Sequence, residues 1–193
     1  LMNIEDENGK TLLMTAAELG EIDIVKFLLK QNANVQTVDK RHGNTALMLA
    51  AKNNRPECAK ALAERMAQDG LNHQNKKGDT ALILAAEQGF CDIVKTLLDN
   101  QADMNLETSR KNTQGNTEKH ITALDAAKNN NRHETITLLE EHSNKMGNQL
   151  KQSLSYYSSS KGKAPSLSKL ASVKEENTQE LPNSSMKKNS PFT

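Results

Sequence analysis

The chain has 193 residues, a net charge of +1, 3% aromatic residues and no tryptophan. Nowhere does it reach the roughly 18 consecutive apolar residues that a membrane span needs, and aromatics this scarce fit stacked small-residue helices better than a sandwich or a barrel, while leaving almost no base-stacking platform for nucleic acid. Its two cysteines, Cys58 and Cys91, have no partner at ligand spacing, so they read as small apolar fillers of a reducing, cytoplasmic compartment and not as a disulfide or metal site.

In chain order, residues 1–5 belong with MNIEDENGKT, which matches LNHQNKKGDT later on, so they read as the tail of an earlier repeat, with the sequence expected to begin mid-array. From Asn8 the phrase NGKTLLMTAAELG begins. It returns as HGNTALMLAAKNN from His42, GDTALILAAEQG from Gly78 and HITALDAAKNNN from His120. Aligning Thr11, Thr45, Thr80 and Thr122 gives steps of 34, 35 and 42 residues, the range of a solenoid repeat. The repeats fall at about 6–38, 39–75, 76–108 and 117–143.

Each copy holds two short blocks at helical spacing. In the first, Leu13, Ala16 and Ala17 mark one helix, and Ile24, Val25, Leu28 and Leu29 mark the next. The threonines stand where a hydroxyl accepts from the free N–H groups of an opening turn. Between the helices Gly20, Asn54, Gly89 and Asn131 supply residues that tolerate positive φ. Pairs such as Ala16-Ala17, Ala50-Ala51, Ala85-Ala86 and Ala126-Ala127 let helices approach closely. The second copy has Pro56, Cys58 and Ala59 where others carry longer aliphatics, which predicts looser packing there. The third copy is followed by an insertion, Ser109 to Lys119, and the fourth ends in Glu140, Glu141 and His142, as suits a last helix facing water.

Residues 144–193 are rich in Ser, Asn and Lys. Eight lysines and three glutamates there give +5 against a chain total of +1, leaving −4 for residues 1–143. Few aliphatics cluster in this segment, which predicts a disordered basic tail with a short helix near Pro165 to Glu176.

GKTLLMTAA, IDIVKFLLKQNANV, GDTALILAA and CDIVKTLLDNQADMN resemble the ankyrin repeat family, whose pattern is roughly G-x-T-P-L-H-x-A-A and G-H-x-x-I-V-x-x-L-L-x-x-G-A-D-V-N. The resemblance covers residues 6–142. It implies an all-α solenoid of stacked helix-turn-helix units joined by β-hairpin fingers and used to bind other proteins. The family's proline is Leu12, Ala46, Ala81 and Ala123 in this chain, and its histidine is Met14, Met48, Ile83 and Asp125, so apolar contacts replace the histidine's hydrogen bonding.

No glycine-rich phosphate loop, GxSxG or HExxH occurs, no cofactor is implied, and Asp125 fits a role at a helix N-terminus better than one as an acid or base. The expected function is therefore a non-enzymatic, monomeric module that holds one protein partner along its concave face and fingers. Finger tips Glu5, Asp6 and Glu7, then Lys40, Arg41 and His42, then Lys76 and Lys77, then Arg110 and Lys111 place a basic ladder beside an acidic first tip, suited to an acidic partner segment. Met14, Met48, Ile83 and Asp125 complete the candidate contact set, and the inserted loop joins it. Nucleic acid and membrane are poor candidates.

Two alternatives stand beside this one. The first is an ankyrin effector exported by an intracellular bacterium into host cytoplasm, for which the tail with Glu175, Glu176, Glu180 and Phe192 resembles type IV export signals. The second is the C-terminal part of a larger protein with an upstream catalytic domain. In the effector reading, Asn105 in QADMN resembles asparagines that host hydroxylases modify.

Overall fold

A computed structural model describes residues 3–111 and 117–159, with the backbone alone for 109–111, 117–119 and 156–159. The helices are α1 (Leu12–Leu19), α2 (Ile22–Lys30), α3 (Ala46–Lys52), α4 (Pro56–Ala63), α5 (Gln68–Leu71), α6 (Ala81–Gln88), α7 (Cys91–Asp99), α8 (Ala123–Asn129) and α9 (His133–Ser159), with strands β1 (Thr108–Lys111) and β2 (Thr117–Ile121) between α7 and α8. The chain divides into one unit of residues 1–146 and a second of 147–193.

The first helix of every repeat begins as the threonines require. The hydroxyls of Thr11, Thr45, Thr80 and Thr122 accept from the N–H groups of Met14, Met48, Ile83 and Asp125 at 3.3, 3.3, 3.2 and 3.3 Å. The turn to the second helix passes through positive φ at Gly20 (86°), Asn54 (53°), Gly89 (82°) and Asn131 (55°). Outside α9 and the single turn α5, these helices run to only seven to nine residues. Helices this short are marginal alone in water, so they persist through the faces they bury.

Those faces meet repeat on repeat. α1 packs on α3, α3 on α6 and α6 on α8, while α2 packs on α4 and α4 on α7. Leu13, Leu28, Leu47, Leu62, Leu82, Leu97 and Leu139 are buried along the stack, each worth about 1.5–3 kcal/mol by removal from water. Ala17, Ala51 and Ala86 are fully buried at the helix contacts. The fourth alanine pair stands one position earlier, so that Lys128 occupies the place of Ala17, Ala51 and Ala86.

Three expectations need correction. The second repeat is not buried less well: Cys58, Ala59, Leu62 and Ala63 are all sealed from water, because small side chains let α4 settle against its neighbours and the added turn α5 brings Met66 and Leu71 into the core. The fingers are hairpins as expected, closed by backbone bonds from the N–H groups of Asp6, Asp39 and Asn75 to the carbonyls of Lys10, Asn44 and Asp79, with named strands, among the described residues, in the last finger alone. The turns of the earlier fingers are also held by a side chain, with Asp6 Oδ1 accepting from the N–H groups of Asn8 and Lys10, Asp39 from His42 and Asn44, and Asn75 from Lys77 and Asp79. The insertion is not a structureless loop, since β1 and β2 pair antiparallel with Thr108 opposite Ile121 and Ser109 opposite His120. Finally, α9 continues past residue 143 to Ser159, so the helix enters the segment read as tail. Residues 160–193, including the expected short helix and the export-like terminus, lie outside the described residues, as do 112–116 of the insertion.

In the second unit the described part is the last stretch of α9, where Leu150 and Leu154 are exposed. Among the described residues no helix is long and apolar enough to cross a membrane.

Candidate functional site

The second and third fingers stand side by side because their backbones join. The N–H of Lys76 donates to the His42 carbonyl at 2.9 Å, as the Lys40 N–H does to Asn8 at 2.8 Å one finger earlier. The Asn75 amide also donates to Asn44 Oδ1 at 2.9 Å. Beside this joint the fingers and the first helices enclose an open groove of about 560 Å³. Its finger wall carries His42, Lys76 and Lys77 with the polar bases Asn44, Asn75 and Asp79. The helix wall carries Lys52 from the end of α3, and Leu84, Glu87 and Gln88 from α6.

Three of the sequence-predicted ladder residues thus line one groove. The others do not. Lys40 turns to Glu5, 3.5 Å away, in an exposed ion pair between the first two tips, and Arg41 is exposed outside the groove lining. The Lys76 ammonium donates to the Lys40 carbonyl, so its charge is held beside the finger backbone. Arg110 and Lys111 lie on β1, with side chains outside the described residues.

Met14, Met48 and Ile83 are 1% exposed and cannot touch a partner; they fill the interior between successive first helices, where the family's histidine position faces inward. Asp125 is exposed but occupied: its carboxylate accepts from the Thr122 N–H at 3.1 Å and from the Thr122 hydroxyl at 2.7 Å, a capping box. Asn105 is exposed at the base of the last finger, its N–H donating to Asp103 Oδ1 at 2.9 Å.

Beneath the groove, Asp39 is nearly sealed from water. Burial works against its charge, but the N–H groups of His42 and Asn44 and the His42 imidazole 3.7 Å away outweigh it and hold the carboxyl below its ordinary range. The tip that presents His42 is therefore fixed by a carboxylate at its root. Among the described residues no cluster of three His, Cys, Asp or Glu side chains is placed to hold a metal ion.

The helix wall was not among the sequence-predicted contacts. Lys52, Glu87 and Gln88 sit in the last turns of their helices, and the signal that finds them is the repeat phase itself: Lys52 and Glu87 occupy the same position of successive copies.

A model of ankyrin repeats, described as three copies, matches residues 1–70 and again 37–108. The chain belongs to the ankyrin repeat family. The two matches together span more than half of the 193 residues, and the fourth copy, beyond them, repeats the threonine cap and the positive-φ turn. Ankyrin repeats are generally modules for protein–protein interaction, typically without catalysis.

Proposed function

We propose that this ankyrin array is a non-enzymatic module that holds an acidic segment of a protein partner in the groove between its second and third fingers. The observation that carries this reading is the convergence of His42, Lys76 and Lys77 from two fingers and Lys52 from α3 on a single groove of about 560 Å³. Across it, Glu87 supplies one opposite charge and Leu84 a partly buried apolar contact, so a bound segment gains orientation as well as charge pairing. A reducing, cytoplasmic setting, in which Cys58 and Cys91 would stay free thiols, is part of this proposal.

The test is affinity capture by the full chain compared with a Lys52→Glu, Lys76→Glu, Lys77→Glu variant of equal stability. Capture that survives in the parent, weakens with added salt and disappears in the variant supports the groove. Equal capture by both removes it.

A further inference from the structure

The two ends of the repeat stack are finished differently. In repeats two to four the residue after the capping threonine is Ala46, Ala81 or Ala123, buried under the preceding hairpin at 2, 1 and 0% exposure. The same position in the first repeat is Leu12, 57% exposed. The second helix repeats the contrast, with Cys58, Ile93 and Thr135 sealed and their equivalent Ile24 42% exposed. At the other end, the places of buried Ala17, Ala51 and Ala86 and of Leu29, Ala63 and Leu98 are taken by Lys128 and Glu140, which pair at 3.1 Å. One end is closed by an ion pair. The other presents larger aliphatics than the covered positions do.

Residues 3–11 add a second observation. Asn3 Oδ1 accepts from the Asn34 N–H at 2.9 Å, and Asn72 Oδ1, at the same phase of the third finger, accepts from the Asp103 N–H at 2.8 Å. Asp6, Gly9 and the Glu5–Thr11 bridge then complete a fingertip. In the second repeat such a finger base continues from a helical hairpin that covers the next repeat's face.

We infer that the exposed face of α1 and α2, through Leu12 and Ile24, is the seat for one further helical hairpin of the same repeat type, joined through the finger that residues 3–11 form. A second copy of the chain stacked head to tail does not suit this seat, because the end it offers carries Lys128 and Glu140. The stacking surface that covers Ala46 and Cys58 is the established interface; the seat extends it by one step.

The experiment joins the chain's own residues 76–104 directly ahead of Asn3, which places Met104 at the phase of residue 2; a second fusion uses residues 39–71. Urea midpoints and amide exchange are measured with and without Leu12→Ser and Ile24→Ser. The expected result is that the two substitutions leave the parent chain's midpoint nearly unchanged, that fusion raises the midpoint and slows exchange in α1 and α2, and that the substitutions abolish both gains. Fusions that leave exchange in α1 and α2 unchanged, or substitutions equally neutral with and without the added hairpin, overturn the inference. So does concentration-dependent dimerisation of the parent chain that Ile24→Ser removes, since the occupant is then a second copy.

Discussion

Arg132 lies over Gly89: its Nε–H donates to the Glu87 carbonyl at 3.1 Å, and a Cβ placed on Gly89 would meet the arginine Cδ at 2.8 Å. Arg55 and Gly20 repeat the arrangement two copies earlier, with donation to Glu18 at 3.1 Å and a contact of 2.7 Å. The glycine answers two demands at once, a left-handed turn and room for a side chain from the next repeat.

Gly89→Ala therefore combines backbone strain at φ 82° with a clash and is expected to cost about 1–3 kcal/mol. Arg132→Ala, losing one hydrogen bond, is expected to cost about 0.5–1.5 kcal/mol. In the double variant the clash is gone, so urea denaturation is expected to show a loss smaller than the sum of the two. Strict additivity contradicts the coupling.

Capping makes a sharper local prediction. Thr80→Ala removes a buried N-cap hydroxyl and is expected to lower stability by about 1 kcal/mol. At the fourth repeat Thr122→Ala and Asp125→Ala act on one capping box, so their combined effect is expected to fall short of the sum. Thermal or urea unfolding of the three variants provides the check.

Asp39 ties stability to acidity. Its folded pKa lies below its unfolded value of about 3.9, so its contribution is fully present above that value and is lost as pH falls through the folded pKa. Denaturation midpoints of the parent are expected to fall more steeply below about pH 4 than those of Asp39→Asn, which has no carboxylate to protonate there. Parallel curves for the two proteins would remove the charge from the account of this finger.

The two thiols are expected to differ in reactivity. Cys58 is sealed in α4, and burial, reinforced by the nearby Glu57 charge, pushes its thiol above the ordinary range, keeping it protonated at neutral pH. Cys91 is half-buried at the start of α7, with its sulfur 3.2 Å from Thr135 Oγ1. Titration with an aromatic disulfide reagent is expected to find one thiol reacting in the native protein and the second only after unfolding. Removal of the native reaction by Cys91→Ser assigns it.

Much of the architecture is readable from the residues because the devices are local. A threonine before an apolar block and a glycine or asparagine after it each specify a backbone state within a few residues, and Thr11, Gly20, Thr80 and Gly89 behave accordingly. Met14, Met48 and Ile83 are misjudged as contacts because position in a repeat does not reveal what lies on the other side of it; the neighbouring repeat does. The turn α5, with Asp69 and Gly70 among four residues, carries too little periodicity to announce itself. The extension of α9 escapes for a related reason: it is polar on most sides, with Met146, Leu150 and Leu154 as its few aliphatics. Arginine-over-glycine pairs join residues 35 and 43 apart, a separation at which no short motif is visible. At the groove, the fingertip charges were legible, while Lys52 and Glu87 emerge only once fingers and helices share a wall.

The joint between repeats two and three lacks the arginine. Asn54 stands at the glycine's place and Phe90 at the arginine's, and Phe90 packs partly into the core. Polar links there include Lys76 to His42 and Asn75 to Asn44 at the fingers. A ring holds by shape and tolerates sliding, whereas an arginine locked on a carbonyl does not. The joint between repeats two and three is thus held by a ring at the helix turn and by hydrogen bonds at the fingers, so an occupant gripping both fingers would act as a splint across it.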